Sequence, residues 1–306
     1  MRTLASNGNT IPCSKGTNVI VTPRDIEVLL SIVQNQFLTT SQICEAHFPS
    51  IHRCRKRLRQ LSNARYLKCY MIPRGFDTLS PEAVYWIGIA GMRILRSRGV
   101  VTHGVQVPKL SKRPGSLMFL SHTLLRNSFR IALDKSTRED SLVSLERWRH
   151  DNSITKRVLI ADENTYSLIY CPIRADAHFS LKTKERSVDF FLELDNGTMP
   201  LTRLVKKLKA YHVWMQSAEH SKNPPTPTKL LIMLFSRTRA QNLLTRLARS
   251  GIANPRYLVS YVDRANLVRA NVLAEQLWRL PPGSEKRTTT ISQAIQEYTN
   301  GQNSPD

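Results

Sequence analysis

The sequence predicts an α/β protein, α+β overall, in which a winged helix–turn–helix domain precedes a domain with a mixed central sheet. Three helix patterns followed by two strand patterns fill the first hundred residues, which is the order of a winged helix–turn–helix. Strands and helices then alternate, as in an α/β sandwich. With 306 residues, 41% of them hydrophobic, the chain is long enough for two cores. We expect a DNA-binding domain over 18–105, a linker over 106–115, the α/β domain over 116–280 and a loosely ordered tail over 281–306.

The charge of the chain predicts a polyanionic partner. A net charge of +22, from 45 basic and 23 acidic residues, favours nucleic acid, and double-stranded DNA is the first candidate. A membrane surface is the second candidate, but no apolar run reaches 18 residues, and the longest covers only residues 230–235. We therefore expect DNA as the partner and no membrane.

The cysteines and the N-terminal segment bear on the compartment. The five cysteines are scattered and form no CxxC pair, so neither a disulfide framework nor a zinc site is indicated. The first residues contain one arginine but no apolar core, unlike a secretory signal. Both patterns favour a reducing cytoplasm, with the protein associated with the nucleoid.

Helix-start signals organise the first domain. The segment TPRD at 22–25 combines an N-cap, a proline at the first helical position and an acid three residues after the cap. The segment LTTS at 38–41 is a second start, and a third helix is expected over 50–64. Strands at 66–73 and 83–87 would form the hairpin, around a turn-rich segment at 74–81. A closing helix at 89–98 would be a candidate contact in a homodimer.

The third helix is basic and contains no acid. We expect its N-terminal part to lie in the major groove, where His52, Arg53 and Arg57 are the candidates for reading bases. Contacts to phosphates would supply affinity rather than sequence information. A solvated helix face is the alternative, but the single sign of the run and the helix pair before it favour DNA. The predicted DNA-binding residues are His52, Arg53, Arg55, Lys56, Arg57, Arg59, Arg65, Lys68 and Arg74.

The second domain begins with a long apolar helix pattern and then alternates. Asn127 and His122 lie within that helix and are expected to be satisfied polar residues at the edge of the core. A proline-rich break separates the central helix from the most apolar strand. The expected helices are 116–135, 201–216, 238–250 and 267–280, and the expected strands are 142–148, 173–179, 188–195, 230–235 and 257–262, with short apolar pieces at 158–161 and 168–170 and a short helix in the tail near 291–298.

The segment VDFFLELDNGT at 188–198 concentrates negative charge in a basic chain. Alternate side chains of a strand share a face, so Asp189, Phe191, Glu193 and Asp195 are expected to point one way. Two carboxylates side by side at a strand end are unfavourable unless a metal, another cation or water compensates for them.

A third carboxylate, Asp176, lies on the preceding candidate strand. Asp176, Glu193 and Asp195 could together hold Mg²⁺ or Mn²⁺, which take oxygen ligands and support phosphodiester cleavage. Lys207, on the following helix, could stabilise charge on the phosphate, with Tyr211 one turn further along. The alternative is a solvated strand end in which the acids pair with Arg203, Lys206 or Lys207.

The ordered motifs PRD, LTT, HTLLRNSF, RAD, ELDNGT and KLKAY resemble the replication-relaxation family of plasmids and mobile elements. The resemblance covers most of residues 20–250, and ELDNGT followed by KxxxY is its most specific part. The family is similar to C-type mobilisation relaxases, which implies a core like that of PD-(D/E)XK restriction endonucleases and a metal-dependent cut. Other replication or plasmid-transfer proteins are then candidate partners.

The family's motif can be placed on this chain residue by residue. Asp176 falls at the PD aspartate, with Ala175 where proline is usual, and Glu193 falls at the acid of the ExK motif. Asp195 stands where that motif has its lysine, so the charge is reversed, and Lys207 could be a migrated replacement. The resemblance implies Asp176, Glu193, Asp195 and Lys207 as the catalytic set.

Three functions follow as hypotheses. The first is a metal-dependent nicking endonuclease or relaxase acting in plasmid replication or mobilisation. The second is a non-catalytic DNA-binding regulator of transcription, replication or transfer, in which the nuclease fold is a platform for DNA or for a dimer. The third, a tyrosine relaxase, ranks lowest, because Tyr211-His212 is the only adjacent pair of the kind that it requires.

Overall fold

The fold is described from a computed structural model, in two compact units. The units comprise residues 1–131 and 132–306, so the division falls inside a helix. The expected linker at 106–115 lies outside the described residues. Each unit is described by itself. The structure describes residues 19–72, 82–101, 116–150, 155–162, 167–217, 227–252, 254, 256–275, 277–279 and 288–299.

The first unit contains the expected three helices and the expected hairpin, in the expected order. A short strand that was not expected pairs antiparallel with the second hairpin strand, giving the sheet order β1-β3-β2. The turn of the hairpin, which includes Arg74, lies outside the described residues. The elements are α1 (Pro23–Asn35), β1 (Leu38–Thr39), α2 (Thr40–His47), α3 (Ile51–Asn63), β2 (Leu67–Met71), β3 (Ala83–Ile87) and α4 (Ile89–Ser97).

Capping boxes explain where the first two helices begin. The Thr22 side chain accepts a hydrogen bond from the backbone N–H of Asp25, whose carboxylate accepts from the backbone of Thr22. Thr39 and Gln42 make the same reciprocal pair at the start of α2. Both starts were predicted, the first from Thr22 and the acid three positions later and the second from the segment LTTS at 38–41.

Helix α5 (Leu117–Glu139) contains the division between the two units. Its first half packs in the core of the first unit, where Leu120 and Leu124 lie with Trp86. Asn127 donates to the backbone carbonyls of Asn35 and Phe37, at 2.9 and 2.6 Å, which is the satisfied polar role expected of it. The first unit therefore extends beyond the predicted boundary, because its core needs apolar residues from α5.

The second unit is built on a mixed sheet, as the sequence predicts. The sheet has seven strands. The sheet order is β12-β11-β10-β9-β8-β7-β4, and a separate pair, β5–β6, forms a two-stranded ribbon. Strand β9 is parallel to both β8 and β10, and the other pairings are antiparallel. The elements are β4 (Ser144–Arg149), β5 (Thr155–Asp162), β6 (Ser167–Arg174), β7 (Ala177–Lys182), β8 (Ser187–Asp195), α6 (Leu201–Gln216), β9 (Thr228–Leu234), α7 (Arg237–Arg249), β10 (Tyr257–Tyr261), α8 (Arg264–Leu267), β11 (Trp278–Arg279), β12 (Thr288–Thr289) and α9 (Ile291–Thr299).

The strand expected at 173–179 is two strands, and this correction affects the candidate site. Strand β6 ends at Arg174 and β7 begins at Ala177. Asp176 lies in the break, where its backbone N–H donates to the carbonyl of Leu192 at 2.9 Å. The chain therefore turns at Asp176 because both its backbone and its side chain bond to β8.

The end of the chain also differs from the prediction. The helix expected at 267–280 was wrong, because α8 ends at Leu267 and Trp278 lies in strand β11. The side chain of Asn271 accepts from the backbone of Ala274 at 3.0 Å, a local bond that competes with helix formation. The tail is not wholly loose, since β12 pairs with β11 and α9, the helix expected near 291–298, buries Ile291 and Ile295.

One core cluster of the second unit lies between the sheet and the helices that cover one of its faces. All seven residues of β9 are buried. Residues of α6 and α7 and of the β5–β6 ribbon share this core with β8, β9 and β10. Within the described residues, no helix is both long and apolar enough to cross a membrane.

Candidate functional site

The candidate site lies on the face of β8 that packs against helices. Phe191 lies in the core with α6, its ring centroid 5.1 Å from that of Trp214. Glu193 and Asp195, two and four residues further on, bond to side chains of α6 and α7. The alternation of the strand thus places these three side chains on one face, as the sequence predicts. Asp189, on the same face of the strand, bonds to Ser180 on the neighbouring strand β7, at 2.5 Å.

Glu193 is enclosed by two side chains of α6. The ammonium Nζ of Lys207 is 2.5 Å from Glu193 Oε2, and the hydroxyl of Tyr211 donates to Oε1 at 2.6 Å. Lys207 and Tyr211 are four residues apart and therefore share a helix face. Lys207 also donates to the backbone carbonyl of Arg174, at 2.6 Å. A lysine of the following helix thus lies beside the glutamate of β8.

Burial changes the acidity of this group. Glu193 is 4% exposed, and burial raises its pKa to about 7, with the charge of Asp176 adding to the rise while Lys207 opposes it. Burial also raises the pKa of Tyr211 well above its usual value, so its hydroxyl stays protonated and donates to the carboxylate. Glu193 is therefore held by two side chains, and its burial leaves the pKa raised in spite of the neighbouring ammonium.

Asp176 is fixed beside the same stretch of β8. Its carboxylate Oδ2 accepts from the backbone N–H of Leu194 at 2.7 Å. Its own N–H bonds the carbonyl of Leu192, so Asp176 is bonded to the residues on both sides of Glu193. The effect of Asp176 on the pKa of Glu193 reflects this proximity. The structure thus brings Asp176, Glu193 and Lys207 together.

Asp195 has a different partner. Its Oδ2 accepts from Nε of Arg239 at 2.5 Å, and its Oδ1 accepts from a second guanidinium nitrogen at 3.1 Å. Oδ1 also accepts from the N–H of Gly197, which has the positive φ of 77° that the turn requires. Arg239 donates further to the carbonyl of Met199. Asp195 therefore fastens the end of β8 to α7.

The predicted set of three metal ligands is not assembled. Asp195 is committed to Arg239, while Asp176 and Glu193 lie together beside Lys207. Across the described residues, no group of three or more histidine, cysteine, aspartate and glutamate side chains is arranged to hold a metal ion. Of the three predicted ligands, Asp176 and Glu193 are the two that lie beside each other.

Arg239 was missed by the sequence reasoning, although a signal for it exists. Ser236 caps the start of α7, and the first turn of that helix contains Arg237 and Arg239 but no acid. Basic residues are unfavourable near the positive end of a helix. An arginine there therefore points to a carboxylate partner, which is Asp195.

The predicted DNA-binding residues are in the first unit, and one of them has another role. Arg57 makes a two-pronged contact with Asp25, at 2.8 and 2.5 Å, and also donates to the Ile20 carbonyl. Asp25 is 1% exposed, so Arg57 is a structural partner of α1 rather than an open cation. Arg74 lies outside the described residues. The exposed members of the predicted set are His52, Arg53, Arg55, Lys56, Arg59, Arg65 and Lys68.

Comparison with known proteins identifies the class of protein. The replication-relaxation family matches residues 29–227, which is more than half of the chain. The chain therefore belongs to the replication-relaxation family, and this membership indicates a role in DNA processing. No match was found among the curated proteins.

One solved structure was also matched, that of the restriction endonuclease FokI. The sequence identity is 11% and the TM-score is 0.30, and the match covers 84% of this chain. The chain spans about half of the FokI chain, 46% of its length. The mixed α/β architecture rests on the strands and helices described above, not on this match.

Proposed function

We propose that the chain is a DNA-binding protein of a plasmid or another mobile element that nicks DNA with the help of Mg²⁺ or Mn²⁺. The observation that carries the proposal is the placement of Lys207 Nζ 2.5 Å from Glu193, with Asp176 bonded to the same strand beside it. An aspartate, a glutamate and a lysine close together near the end of one strand are the residue types that the PD-(D/E)XK motif requires. In this chain the lysine comes from α6 instead of from the strand.

The donors present fit a hard divalent cation. Asp176 and Glu193 offer carboxylate oxygens from neighbouring positions, and Mg²⁺ is commonly bound through one or two carboxylates together with water and phosphate. When bound there, the cation would supply a Lewis acid for the scissile phosphate and an acidified water. Asp195 is outside this set because its oxygens are bonded to Arg239 and Gly197.

Other side chains would stabilise the phosphate charge, hold the carboxylate and bind the DNA. Lys207 keeps its second bond to the Arg174 carbonyl when Glu193 turns towards a cation, so its ammonium stays in place to stabilise charge on the phosphate. Tyr211 donates to Oε1 and so holds one oxygen of the carboxylate. The exposed arginines of α3 bind the DNA backbone, which supplies affinity and steep salt dependence.

The second candidate function is a non-catalytic regulator of transcription, replication or transfer. Glu193 is buried and satisfied by Lys207 and Tyr211 without any further ligand, and this observation favours a purely structural role for the cluster. In that role the second unit is a platform for DNA or for assembly. A homodimer contact at α4, or contacts with other replication or transfer proteins, would then extend the binding surface.

A nicking assay on supercoiled plasmid separates the two functions. The native chain, Glu193→Gln, Lys207→Met and the matched control Lys206→Met are compared with Mg²⁺, with Mn²⁺ and with EDTA. We expect metal-dependent nicking by the native chain, unchanged nicking by Lys206→Met, and losses of about 100-fold or more in the other two variants. Circular dichroism confirms that each variant is folded.

The outcomes that oppose the proposal are distinct. Nicking by folded Glu193→Gln at the native rate would point to a contaminating nuclease or to another site. DNA binding by the native chain without nicking in either metal would favour the regulator.

A further inference from the structure

The β5–β6 ribbon has an exposed apolar face beside the candidate site. Leu159, Leu168 and Tyr170 are 43%, 67% and 72% exposed. Leu159 and Tyr170 are directly opposite each other in the antiparallel pair. Large apolar side chains grouped on one face of a ribbon commonly mark a binding surface.

The other face of the ribbon explains why this one is open. Val158, Ile160 and Ile173 are buried in the core that also contains residues of α6. Because side chains alternate along a strand, packing these residues inward directs Leu159 and Tyr170 outward. The ribbon is therefore anchored through one face and presents the other to a ligand.

The open face is basic as well as aromatic. Arg157 lies opposite Pro172, and Arg174 lies opposite Thr155, both arginines being exposed and on the side of the ribbon towards Asp176. An aromatic ring next to cations, with no acid among the described side chains of this face, is complementary to a nucleic-acid strand. It combines a stacking surface with phosphate contacts.

The ribbon leads directly into the site. The carbonyl of Arg174 accepts from Lys207, and Asp176 follows two residues later. Tyr170 is four residues before Arg174, which is about 13 Å along an extended strand. A DNA strand lying on the ribbon would therefore reach the carboxylates and Lys207.

We propose that the outer face of the β5–β6 ribbon holds an unpaired stretch of the DNA strand next to the nicking site, with one base stacked on Tyr170. The inference rests on the proposed function and adds the substrate form that the site prefers. A tyrosine ring can stack only on a base whose face is open, which paired bases within a duplex do not offer.

A second copy of the chain is the competing occupant of this face. A stable protein interface uses about 20–30 residues on each side. Among the described residues, the large apolar side chains of this face are Leu159, Leu168 and Tyr170, which make too small a patch to hold a dimer by themselves. The arginines beside it would also repel their copies across a two-fold axis.

The test compares binding of a labelled single-stranded oligonucleotide and of the matching duplex by the full chain. Tyr170→Leu keeps an apolar side chain without the ring, Tyr170→Phe keeps the ring, and Leu142→Ala, an exposed apolar residue outside the ribbon, is the control. We expect Tyr170→Leu to weaken single-strand binding by about five- to 100-fold, the size of one stacked base. Duplex binding should not change, and Tyr170→Phe and Leu142→Ala should bind both forms like the native chain.

An abasic scan of the oligonucleotide locates the stacked base. Removing that base should weaken binding by the native chain and have no further effect on Tyr170→Leu, because the two changes remove the same contact. Equal single-strand binding by the native chain and Tyr170→Leu would overturn the inference. So would a native dimer that Tyr170→Leu converts to a monomer in sedimentation experiments.

The experiments distinguish failure of the ribbon inference from failure of the nuclease proposal. If Tyr170→Leu binds single strands normally while metal-dependent nicking persists, only the ribbon inference is wrong. If the native chain never nicks but Tyr170→Leu loses single-strand binding, the ribbon inference holds and the nuclease proposal is wrong.

Discussion

Glu193 and Asp195 are two residues apart on one face of one strand, and yet they are held in opposite ways. Glu193 is bonded by the single ammonium of Lys207 and by the Tyr211 hydroxyl, and burial raises its pKa to about 7. Asp195 is bonded by the planar fork of Arg239 and by the N–H of Gly197. Both carboxylates are 4% exposed, so burial alone does not distinguish them.

The difference lies in what each partner permits. A guanidinium is always charged and matches a carboxylate in two places, so it fixes the geometry of Asp195. The ammonium of Lys207 makes a single contact with Glu193 and has a second acceptor in the Arg174 carbonyl, so it fixes the geometry of the glutamate less firmly. Asp195 therefore acts as a structural link between β8 and α7, and we propose Glu193 as the carboxylate that would bind the cation.

The largest expected effect on stability comes from loss of the ion pair between Asp195 and Arg239. Arg239→Ala leaves a buried carboxylate without its cation and should lower the free energy of unfolding by about 3–5 kcal/mol. Urea denaturation followed by circular dichroism measures the change. Arg237→Ala, an exposed arginine in the same turn, is the matched control and should leave stability unchanged. A loss in Arg239→Ala no larger than in Arg237→Ala would contradict the structural role of the pair.

The ion pair of Asp25 and Arg57, in the first unit, tests whether forked pairs are structural elsewhere in the chain. Burial opposes ionisation, but the hydrogen bonds from Arg57 and Thr22 outweigh it and lower the pKa of Asp25. A lowered pKa contributes stability that is complete above the usual pKa of about 4 and is lost as pH falls through the folded value.

This contribution can be measured by urea denaturation between pH 2 and pH 7. The native chain should lose stability below about pH 4, and Arg57→Ala should start less stable by about 1–3 kcal/mol and lose less on acidification. Since Asp25 keeps the hydrogen bonds from the backbone N–H and the hydroxyl of Thr22 when Arg57 is removed, the effect should be smaller than that of Arg239→Ala. The same acid dependence in both proteins would contradict the pairing.

The smallest expected effect is on the salt dependence of DNA binding by the arginines of α3. Arg55 is exposed, whereas Arg57 is paired with Asp25, so of these two arginines Arg55 is the one open to a phosphate. Arg55→Ala should reduce the slope of log binding constant against log salt concentration by about 0.9, the value for one phosphate contact. Arg57→Ala, measured where it remains folded, should keep the native slope. Fluorescence anisotropy over a salt series gives both slopes, and the reverse order would contradict the assignment.

The parts of this account that the sequence could predict are those set by local patterns. The capping residues placed the first two helices, and the bounds of α6, Leu201–Gln216, were predicted without error. The spacing of Lys207 and Tyr211 on one helix face, after a strand bearing Glu193, was enough to place them near each other. Such predictions need only the period of a helix or a strand.

Long-range pairing could not be predicted in the same way. Arg239 lies 44 residues after Asp195, and no local period connects them. The break at Asp176 depends on bonds to Leu192 and Leu194, which belong to another strand. Trp278 lies in a segment whose sequence predicts a helix, but it pairs with Ser260 of β10 as part of a strand. In each case a tertiary contact outweighed the local pattern.

The central claim is that Glu193, and not Asp195, is the carboxylate of β8 that binds a metal ion. Binding of Mn²⁺ to the folded chain tests this claim most directly. Calorimetric titrations compare the native chain with Glu193→Gln and Asp195→Asn, each checked for folding by circular dichroism. We predict that Glu193→Gln weakens Mn²⁺ binding by about tenfold or more, whereas Asp195→Asn binds like the native chain. Loss of Mn²⁺ binding in Asp195→Asn, with native binding in Glu193→Gln, would contradict the account.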